Sequence, residues 1–345
     1  MELPTVRNSC PFIGIDAVGY YIPKKKISSE EIAELSSIPA NVFTEKIGFK
    51  QISVADDSEH PSEMGIKAAS DALKKSKISA EDIDVIIYTG VGDYDYRFWS
   101  PAAKIQDAVK AKKSYAFEVR NACNGGNLAV YIASQLLQND RSMRNALVVA
   151  SDKWSQLINY TDKRLLSLFH IGDGAAAVLL SKDSSKNKIL GYASITDGQL
   201  VDEIKIPYGG TKINNFTDPL PKKESCYINF QNPQKLDNIL SEIYLKNYLY
   251  VIQTALEKTG HSAEDISFLL TNQVKASLSK NIFDSLNLKS DQTYRSITEY
   301  GHMGPVDTLF CFAKIIEENK LKNDDIVVLA SSGAGFTWGA TVLRH

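Results

Sequence analysis

The sequence predicts an α/β fold, and three observations carry this prediction. The segment ALKKSKISAEDIDVIIYTG (72–90) aligns without a gap on ALEKTGHSAEDISFLLTNQ (255–273). A second, weaker similarity relates NALVVASDKW (145–154) to DDIVVLASSGAG (324–335), in the same order along the chain. Apolar runs of strand length also alternate with longer amphipathic runs of helical period, which is the pattern of α/β proteins.

The elements follow from these patterns in chain order. Each copy of the first repeat predicts the end of an amphipathic helix, a turn with the letters Ser-Ala-Glu-Asp, and a short apolar strand. Residues 114–119 predict a strand, and residues 128–138 predict a helix that is apolar on almost every side and therefore buried. The second repeat predicts strands covered on both faces, because it is apolar throughout. Residues 197–234, rich in Pro, Gly, Asn and Lys, predict a surface loop with short strands.

Two matches in the same order indicate an internal duplication. We expect an N-terminal half over residues 1–182 and a C-terminal half over residues 183–345, packed as one rigid body because no Pro/Gly/Ser-rich linker separates them. Strand ends of the two halves would then meet at the centre, where open α/β sheets place ligands. The identical pairs of the first repeat are Ala72/Ala255, Leu73/Leu256, Lys75/Lys258, Ser79/Ser262, Ala80/Ala263, Glu81/Glu264, Asp82/Asp265 and Ile83/Ile266.

The composition excludes several classes of function. The chain has 345 residues, of which 43% are hydrophobic, so it can bury a large core. Its 39 basic and 41 acidic residues nearly balance, which gives no basic surface for nucleic acid. No apolar run reaches the ~20 residues of a membrane span, and the first residues do not predict a secretory signal. The four cysteines, Cys10, Cys123, Cys226 and Cys311, show neither zinc spacing nor a disulfide pattern, so we expect a cytoplasmic protein without a metal.

Cys123 is the first candidate for a catalytic residue. It stands between the predicted strand and the buried helix, where the free N–H groups and dipole of a helix start favour a thiolate. Gly125 and Gly126 directly behind it permit a tight turn and the close approach of a substrate carbonyl. The alternative is a structural thiol, because free cysteines usually pack as small core residues. The surrounding residues alone leave both interpretations open.

Three segments of the C-terminal half could complete a site. His302 lies between glycines in EYGHMGPVDTLFCF (299–312), ahead of a helix that begins near Pro305, whereas His170 is expected in the core. Asn272 ends the repeated strand, where it is either a buried hydrogen-bonded amide or a turn cap. The small-residue turn in SSGAGFTWGATVL (331–343) joins two strands, and its backbone N–H groups could face an oxyanion.

These segments, in this order, resemble the β-ketoacyl-ACP synthase III branch of the thiolase superfamily. The resemblance covers nearly the whole chain, through GIDAVGYYIP (14–23), EKIGFK (45–50), NACNGG (121–126), FHIGDGAAAVLL (169–180) and GAGFTWGATVLR (333–344). The string GFTWG is the most specific of them. The resemblance implies a thiolase-like five-layered αβαβα fold of two duplicated βαβ-rich halves, a homodimer, and acyl-enzyme formation on the cysteine of the NACNGG turn.

The resemblance implies Cys123, Asn272 and His302 as catalytic residues, with two positions exchanged. The family carries His in an H-Q-A-N string and Asn in a G-N-T string, whereas this chain has NQVK (272–275) and GHM (301–303). The order Cys, Asn, His looks like that of thiolases, but their second cysteine is replaced by a pair of serines. His302 would take the proton of Cys123, and Asn272 with the His302 imidazolium would donate to the enolate or oxyanion of the second substrate.

Without the thiolase base, the resemblance favours decarboxylative Claisen condensation of acyl-Cys123 with a malonyl-type thioester, because loss of CO₂ generates the carbanion. Asp93 and Asp95 are alternative bases for a condensation without decarboxylation. A second possible function is transfer of the acyl group from Cys123 to an amine or alcohol. A third is an inactive subunit of a heterodimeric synthase, against which the retained cysteine, imidazole, amide and glycine turns argue. The expected setting is a specialised fatty-acid or polyketide-type pathway.

The resemblance also assigns positions around the acyl group. The backbone N–H groups of Cys123 and Ala334 would hold the oxyanion of the acylation step, although the family usually has glycine in place of Ala334. The loop GDYDYRFWSPAA (92–103) would cap the acyl pocket of a partner subunit. Phe98 or Trp99 would then form the floor of that pocket.

The expected substrates are thioesters of coenzyme A or of phosphopantetheine on an acyl carrier protein, with no permanently bound cofactor. The family's adenine-stacking Trp corresponds to Val42, and two of its Arg correspond to Lys46 and Lys163. The charge is kept but the stacking platform and the planar guanidinium are lost, which favours a carrier-protein donor as the alternative to coenzyme A. Lys275 and Lys280 could contact an acidic carrier surface, or could be solvated helix lysines.

Overall fold

The computed structural model describes residues 12–92, 94–212 and 223–345. Two residues considered from the sequence, Cys10 and Asp93, lie outside these described residues. The strands are β1 Ile13–Tyr21, β2 Lys26–Ser28, β3 Gln51–Ser53, β4 Val85–Thr89, β5 Tyr115–Val119, β6 Asn145–Asp152, β7 Gly174–Lys182, β8 Lys188–Thr196, β9 Ile204–Lys205, β10 Asn229–Phe230, β11 Ile266–Thr271, β12 Ile326–Gly333 and β13 Thr337–Arg344. The α-helices are α1 Ser29–Ser36, α2 Pro61–Lys75, α3 Pro101–Val109, α4 Gly125–Asn139, α5 Pro233–Lys258, α6 Ala276–Ser285, α7 Ile297–Tyr300 and α8 Asp307–Glu317.

Nine strands form the main sheet in the order β11-β12-β13-β8-β1-β7-β6-β4-β5. β4 is parallel to β5 and β6, and β11 is parallel to β12, whereas the remaining neighbours are antiparallel. β1 and β8 are joined through the residue pair Gly14 and Lys188. The sheet therefore consists of two runs of strands, β5 to β1 and β8 to β11, that meet at this junction.

The helices arrange these two runs into five layers. α2 packs on β1, β6 and β7, and α3 packs on α2 and β5, so both cover the outer face of the first run. α5 packs on β8, β12 and β13 and covers the outer face of the second run. α4 and α8 contact strands of both runs and form the layer between them. The expected thiolase-like αβαβα arrangement is confirmed.

The strand order is symmetric about the β1–β8 junction, since β4-β6-β7-β1 on one side mirrors β11-β12-β13-β8 on the other. The repeated segments occupy equivalent places in this pattern. Each has a helix end and a 3₁₀ turn, Ala80–Asp82 or Ala263–Asp265, followed by β4 or β11. Ser79 and Ser262 stand at the N-cap of these turns. The boundary at residues 182 and 183 falls between β7 and β8 and stays our prediction.

The core lies along the central strands. Every residue of β4 and β12 is buried, as is almost every residue of β6, which is why their sequences are apolar without alternation. The surface loop expected over 197–234 contains β9 and β10 in its described part. Among the described residues no helix has the combined length and hydropathy to cross a bilayer.

Candidate active site

Cys123 lies in a short 3₁₀ turn, Ala122–Asn124, between β5 and α4. Ala122 has a φ of 45°, in the left-handed region that costs energy for a residue with a side chain. A Cβ on Gly125 would lie 2.1 Å from the Thr89 hydroxyl oxygen, and one on Gly126 would lie 2.3 Å from the carbonyl oxygen of residue 305. The cysteine therefore sits on a strained turn whose two glycines are required by close contacts.

Gly126→Ala is expected to lower the free energy of unfolding by about 1–3 kcal/mol, because the added methyl forces α4 away from the turn at residue 305. Thermal unfolding followed by circular dichroism measures the effect. Gly198→Ala is the matched control, since a Cβ there meets no atom within 4 Å. Equal melting temperatures for the two variants would contradict this packing argument.

His302 is held by a buried carboxylate that the sequence analysis did not single out. Its Nδ1 lies 2.5 Å from Oδ2 of Asp307, which is fully buried at the start of α8. The same carboxylate accepts hydrogen bonds from the backbone N–H groups of Gln273 at 2.7 Å and Met303 at 2.8 Å. Asp307 is thus fixed on three donors, and it fixes the orientation of the His302 ring.

Two aromatic rings enclose the His302 imidazole. The Trp154 ring meets it edge-on with centroids 5.2 Å apart, and the His170 ring stacks on it at 5.9 Å. The backbone also ties the two segments together, because the N–H of His302 donates to the carbonyl of His170 at 2.7 Å. The His302 side chain is 10% exposed, and these contacts leave its ring little freedom to rotate.

The His302 ring is close enough to Cys123 for the two groups to influence each other's charge. Burial alone would lower the pKa of His302, but the charge of Asp307, the charge of a Cys123 thiolate and hydrogen bonds to both groups raise that pKa to about 10. The imidazole is therefore protonated at neutral pH and donates to Asp307 through Nδ1. Thiol, imidazole and carboxylate follow one another in this order, which is the arrangement that activates nucleophiles in covalent catalysis.

His170 is buried, as the sequence predicts, but it lies beside the candidate site rather than remote from it. Burial lowers the pKa of His170 to about 3, the neighbouring charge of His302 acts in the same direction, and a hydrogen bond to the backbone of Gln273 opposes them. The structure therefore places a neutral imidazole against a charged one.

The depressed pKa of His170 has a consequence for stability. The pKa of His170 is near 6.5 in the unfolded chain and about 3 in the folded chain. The contribution of the neutral imidazole to the free energy of unfolding is therefore complete above pH 6.5 and is lost as the pH falls towards 3. His170→Phe is expected to flatten the fall in unfolding free energy between pH 6.5 and 5, measured by urea denaturation. A slope equal to that of the wild type would contradict this.

Asn272 follows the last residue of β11 and is buried, with an amide that is fully oriented. Its Oδ1 accepts from the Tyr248 hydroxyl and from the backbone N–H of Ser332 at 3.2 Å, and its Nδ2 donates to the carbonyl of Ser332 at 3.4 Å. Tyr244, one helical turn before Tyr248 on α5, shares a hydrogen bond with the Ser332 hydroxyl. The interpretation of Asn272 as a buried hydrogen-bonded amide agrees with these contacts.

The turn after β12 packs directly on the cysteine. A Cβ on Gly333 would lie 3.0 Å from the backbone nitrogen of Cys123, and the Ser331 hydroxyl donates to the Cys123 carbonyl at 2.8 Å. Ala334 follows with an exposed side chain. The two backbone segments expected to form an oxyanion site are thus neighbours. The hydroxyl proton of Ser331 is used in its hydrogen bond to the Cys123 carbonyl.

The remaining predicted site residues lie at the surface. Lys46, Lys163 and Lys275 are exposed, and Lys280 pairs with Asp284 on α6. The segments of Lys46 and Lys275 lie side by side, since a Cβ on Gly48 would contact the Ala276 side chain at 3.6 Å.

In the loop 92–103, Phe98 is fully exposed and Trp99 is half-buried against Tyr96. The Asp95 carboxylate accepts from the N–H and the hydroxyl of Ser62 at 3.1 and 2.6 Å. These bonds hold Asp95 at the start of α2.

Two family models match the chain. The model described as 3-Oxoacyl-[acyl-carrier-protein (ACP)] synthase III matches residues 117–198, and the model of the C-terminal part of the same synthase matches residues 256–345. Cys123 lies in the first match, and Asn272 and His302 lie in the second.

Similar proteins and structures extend over the whole chain. Beta-ketoacyl-[acyl-carrier-protein] synthase III of Aquifex aeolicus is 26% identical over 332 residues, covering 96% of this chain and 99% of the relative. The crystal structure of 3-oxoacyl-[acyl-carrier-protein] synthase III from the same organism has a TM-score of 0.84 at 25% identity, covering 96% of this chain and 100% of the other. The priming β-ketosynthase of the R1128 polyketide pathway has a TM-score of 0.85 at 18% identity, covering 99% of this chain and 98% of that chain, and supports the fold alone.

Proposed function

Because this chain is a β-ketoacyl-ACP synthase III-like protein and an acyl-thioester condensing enzyme, we propose that it works through an acyl-Cys123 intermediate and decarboxylative Claisen condensation. The observation that carries the proposal is the line of Cys123, His302 and Asp307 on a strained turn at the start of a buried helix. This line supplies an activated sulfur in a site built from both halves of the chain.

The first half-reaction loads the acyl group. The Cys123 thiolate attacks the carbonyl carbon of an acyl thioester, and the oxyanion is held by the backbone N–H groups of Cys123 and Ala334. Collapse of the tetrahedral intermediate breaks the bond to the carrier sulfur, which leaves as a thiol with the proton of His302. Loss of one oxyanion donor typically costs about 10²–10³-fold in rate.

The second half-reaction forms the carbon–carbon bond. A malonyl-type thioester loses CO₂, and the electron pair of the broken bond gives an enolate whose oxygen accepts a hydrogen bond from Asn272 Nδ2. The carbanion attacks the carbonyl of acyl-Cys123, and collapse releases the Cys123 thiolate and a β-ketoacyl thioester. A proton taken up from solvent then restores the His302 imidazolium. No base is required in this step, which suits a site in which the Asp95 carboxylate is bound to Ser62.

The substrates we propose are thioesters of coenzyme A or of a phosphopantetheine-bearing carrier protein, in a specialised fatty-acid or polyketide-type pathway. Lys46 and Lys275 lie on adjacent segments, and the Arg295 guanidinium is close to both, since a Cβ on Gly48 would lie 3.9 Å from its Nη2. Lys163, which is also exposed, is assigned to the phosphate region only by the resemblance. Such a group of cations fits a phosphate or the acidic surface of a carrier protein in the cytoplasm.

We also propose a homodimer. β5 is the edge strand of the main sheet, and its Tyr115 is 63% exposed next to the half-buried Phe117. Long edge strands with apolar side chains are normally covered, and the fully exposed Phe98 nearby would insert into the partner subunit. Light scattering after size exclusion should give twice the chain mass. A monomer at micromolar concentration would contradict the dimer.

A second candidate function is acyl transfer from Cys123 to an amine or alcohol. The His302–Asp307 pair favours it, because an imidazole backed by a carboxylate is a general base for O–H and N–H nucleophiles. Once Cys123 is acylated, the thiolate charge that raises the pKa of His302 is gone, and the imidazole gives up its proton more readily.

One experiment separates the two functions. The protein is incubated with short acyl-CoA thioesters and the intact mass is measured, and then a malonyl thioester labelled at its free carboxylate is added. We expect an acyl adduct, followed by labelled CO₂ and a β-ketoacyl product. An adduct that is transferred to amines or alcohols without CO₂ release supports the second function, and absence of any adduct contradicts both.

A further inference from the structure

We propose that the phenol of Tyr244 donates a hydrogen bond to the carbonyl oxygen of the second thioester during carbon–carbon bond formation. This inference rests on the proposed condensation and adds a catalytic residue from α5. The role requires a protonated phenol near Cys123 and a partner that orients this phenol. It also requires a reaction step in which the developing enolate oxygen needs a further hydrogen-bond donor. The contacts of Tyr244 meet each requirement.

Tyr244 and Tyr248 lie one turn apart on α5, so their side chains share a face of the helix. Their rings are 5.4 Å apart, and the Tyr244 ring packs edge-on against the buried Trp338 at 5.9 Å. Both phenols are close enough to Cys123 for its thiolate charge to contribute to their raised pKa values. The Tyr244 hydroxyl is held at Ser332, and the residues on either side of Ser332 contact the backbone of Cys123.

Ser332 orients Tyr244 and Asn272 together. Its backbone N–H and carbonyl hold the two ends of the Asn272 amide, and its hydroxyl shares a hydrogen bond with the Tyr244 hydroxyl. When the Ser332 hydroxyl donates to the phenol oxygen, the phenol O–H is directed to a third partner. Hydrogen bonds in such a chain strengthen one another. The amide and the phenol are thus fixed on one residue as two neighbouring donors.

The enolate step needs such a second donor. The His302 Nδ1 is bound to Asp307, and the other ring nitrogen faces the sulfur of Cys123. The Asn272 Oδ1 is filled by Tyr248 and Ser332, which leaves only an N–H of that amide for substrate. A neutral donor aimed at an oxygen that becomes negative stabilises the transition state more than the ground state.

The phenol is suited to donate without losing its proton. Burial raises the pKa of Tyr244 to about 12, the thiolate charge of Cys123 adds to this, and hydrogen bonds to Ser332, Tyr248 and Asn272 oppose it. The group therefore stays protonated across the neutral range. It stabilises the enolate electron pair created by loss of CO₂, and no proton has to be replaced when that pair forms the new carbon–carbon bond.

Tyr244→Phe tests the inference, with the two half-reactions measured separately. Acylation of Cys123, followed by intact mass, is expected at the wild-type rate. Release of labelled CO₂ and formation of the β-ketoacyl product are expected to fall about 10²-fold in kcat, as for loss of an oxyanion donor. Tyr250→Phe is the matched control, because this tyrosine is 50% exposed on the same helix.

Three outcomes decide the inference. Condensation at the wild-type rate in Tyr244→Phe would overturn it, and so would equal losses of acylation and condensation, which indicate a structural role. Ser332→Ala, which removes the orienting hydroxyl and keeps the phenol, should give an intermediate loss of condensation alone. Absence of an acyl adduct on the wild-type enzyme would contradict the proposed function instead.

Discussion

Cys123→Ala is expected to abolish acyl-adduct formation and to lower condensation by at least ~10⁵-fold, the scale seen when a covalent nucleophile is removed. In the proposed mechanism the Cys123 sulfur bonds to the acyl carbon, and the strained turn presents it at the start of α4. The Ser331 hydroxyl is not a substitute for it, since this hydroxyl is bound to the Cys123 carbonyl at 2.8 Å. The measurement is intact mass after incubation with acyl-CoA, combined with product formation from a malonyl thioester.

Cys311→Ala is the matched control for this variant. Cys311 is fully buried in α8, and burial raises the pKa of its thiol well above the usual range, so it stays an unreactive thiol. The adduct should form on the Cys311→Ala protein as on the wild type. An adduct of equal mass and extent on Cys123→Ala would refute the assignment of the nucleophile and, with it, the covalent mechanism.

The fold could be predicted because its main signals are local and repeated. The paired segments 72–90 and 255–273 became a helix end, a 3₁₀ turn and a strand in both places, since each carries the same capping serine and apolar run. The comparisons confirm the thiolase-like fold expected from the resemblance. The start of α5 was not predicted, because its polar first turns carry no clear apolar stripe over its 26 residues.

The partners of the catalytic side chains could not be read from the sequence. Asp307 meets His302 only because the short turn at Gly304–Val306 folds the start of α8 back onto the imidazole. In the sequence, Tyr244 and Tyr248 look like ordinary apolar positions of a helix. Their hydroxyl groups reach Ser332 and Asn272 only because α5 packs over β12 and β13. A carboxylate five residues after the candidate histidine was the one available signal.

The exchange of histidine and asparagine that the resemblance implies stays a prediction, and in this chain the two groups have different partners. The imidazole at position 302 has a buried carboxylate on one side and the thiol on the other, which makes it a cation that serves the nucleophile. The amide of Asn272 is hydrogen-bonded to the phenol of Tyr248 and to the backbone N–H and carbonyl of Ser332. We infer that His302 is committed to Cys123, and that stabilisation of the second substrate falls to the donors gathered at Ser332.

Asp307→Asn is expected to lower the rate of Cys123 acylation by about 10³–10⁴-fold, since the corresponding change in serine proteases costs about 10⁴-fold through the wrong imidazole tautomer. The carboxylate charge is a main cause of the raised pKa of His302, and without it burial lowers that pKa. The variant would then hold a neutral imidazole beside Cys123 in place of an imidazolium. Stopped-flow acylation from pH 5 to 10 measures both the rate and the titration of His302.

The same variant should alter the pH dependence of stability in a defined direction. The pKa of His302 is about 10 in the folded chain and near 6.5 in the unfolded chain, so its stabilising contribution is complete below pH 6.5 and is lost as the pH rises towards 10. Asp307→Asn should flatten this decline, whereas Asp284→Asn, an exposed carboxylate on α6, should leave both the decline and the acylation rate unchanged. The prediction is wrong if the acylation rate of Asp307→Asn lies within tenfold of the wild-type rate and has the same pH dependence. Asp307 would then not be a positioning residue, and the Cys123–His302 pair would be activated without its carboxylate.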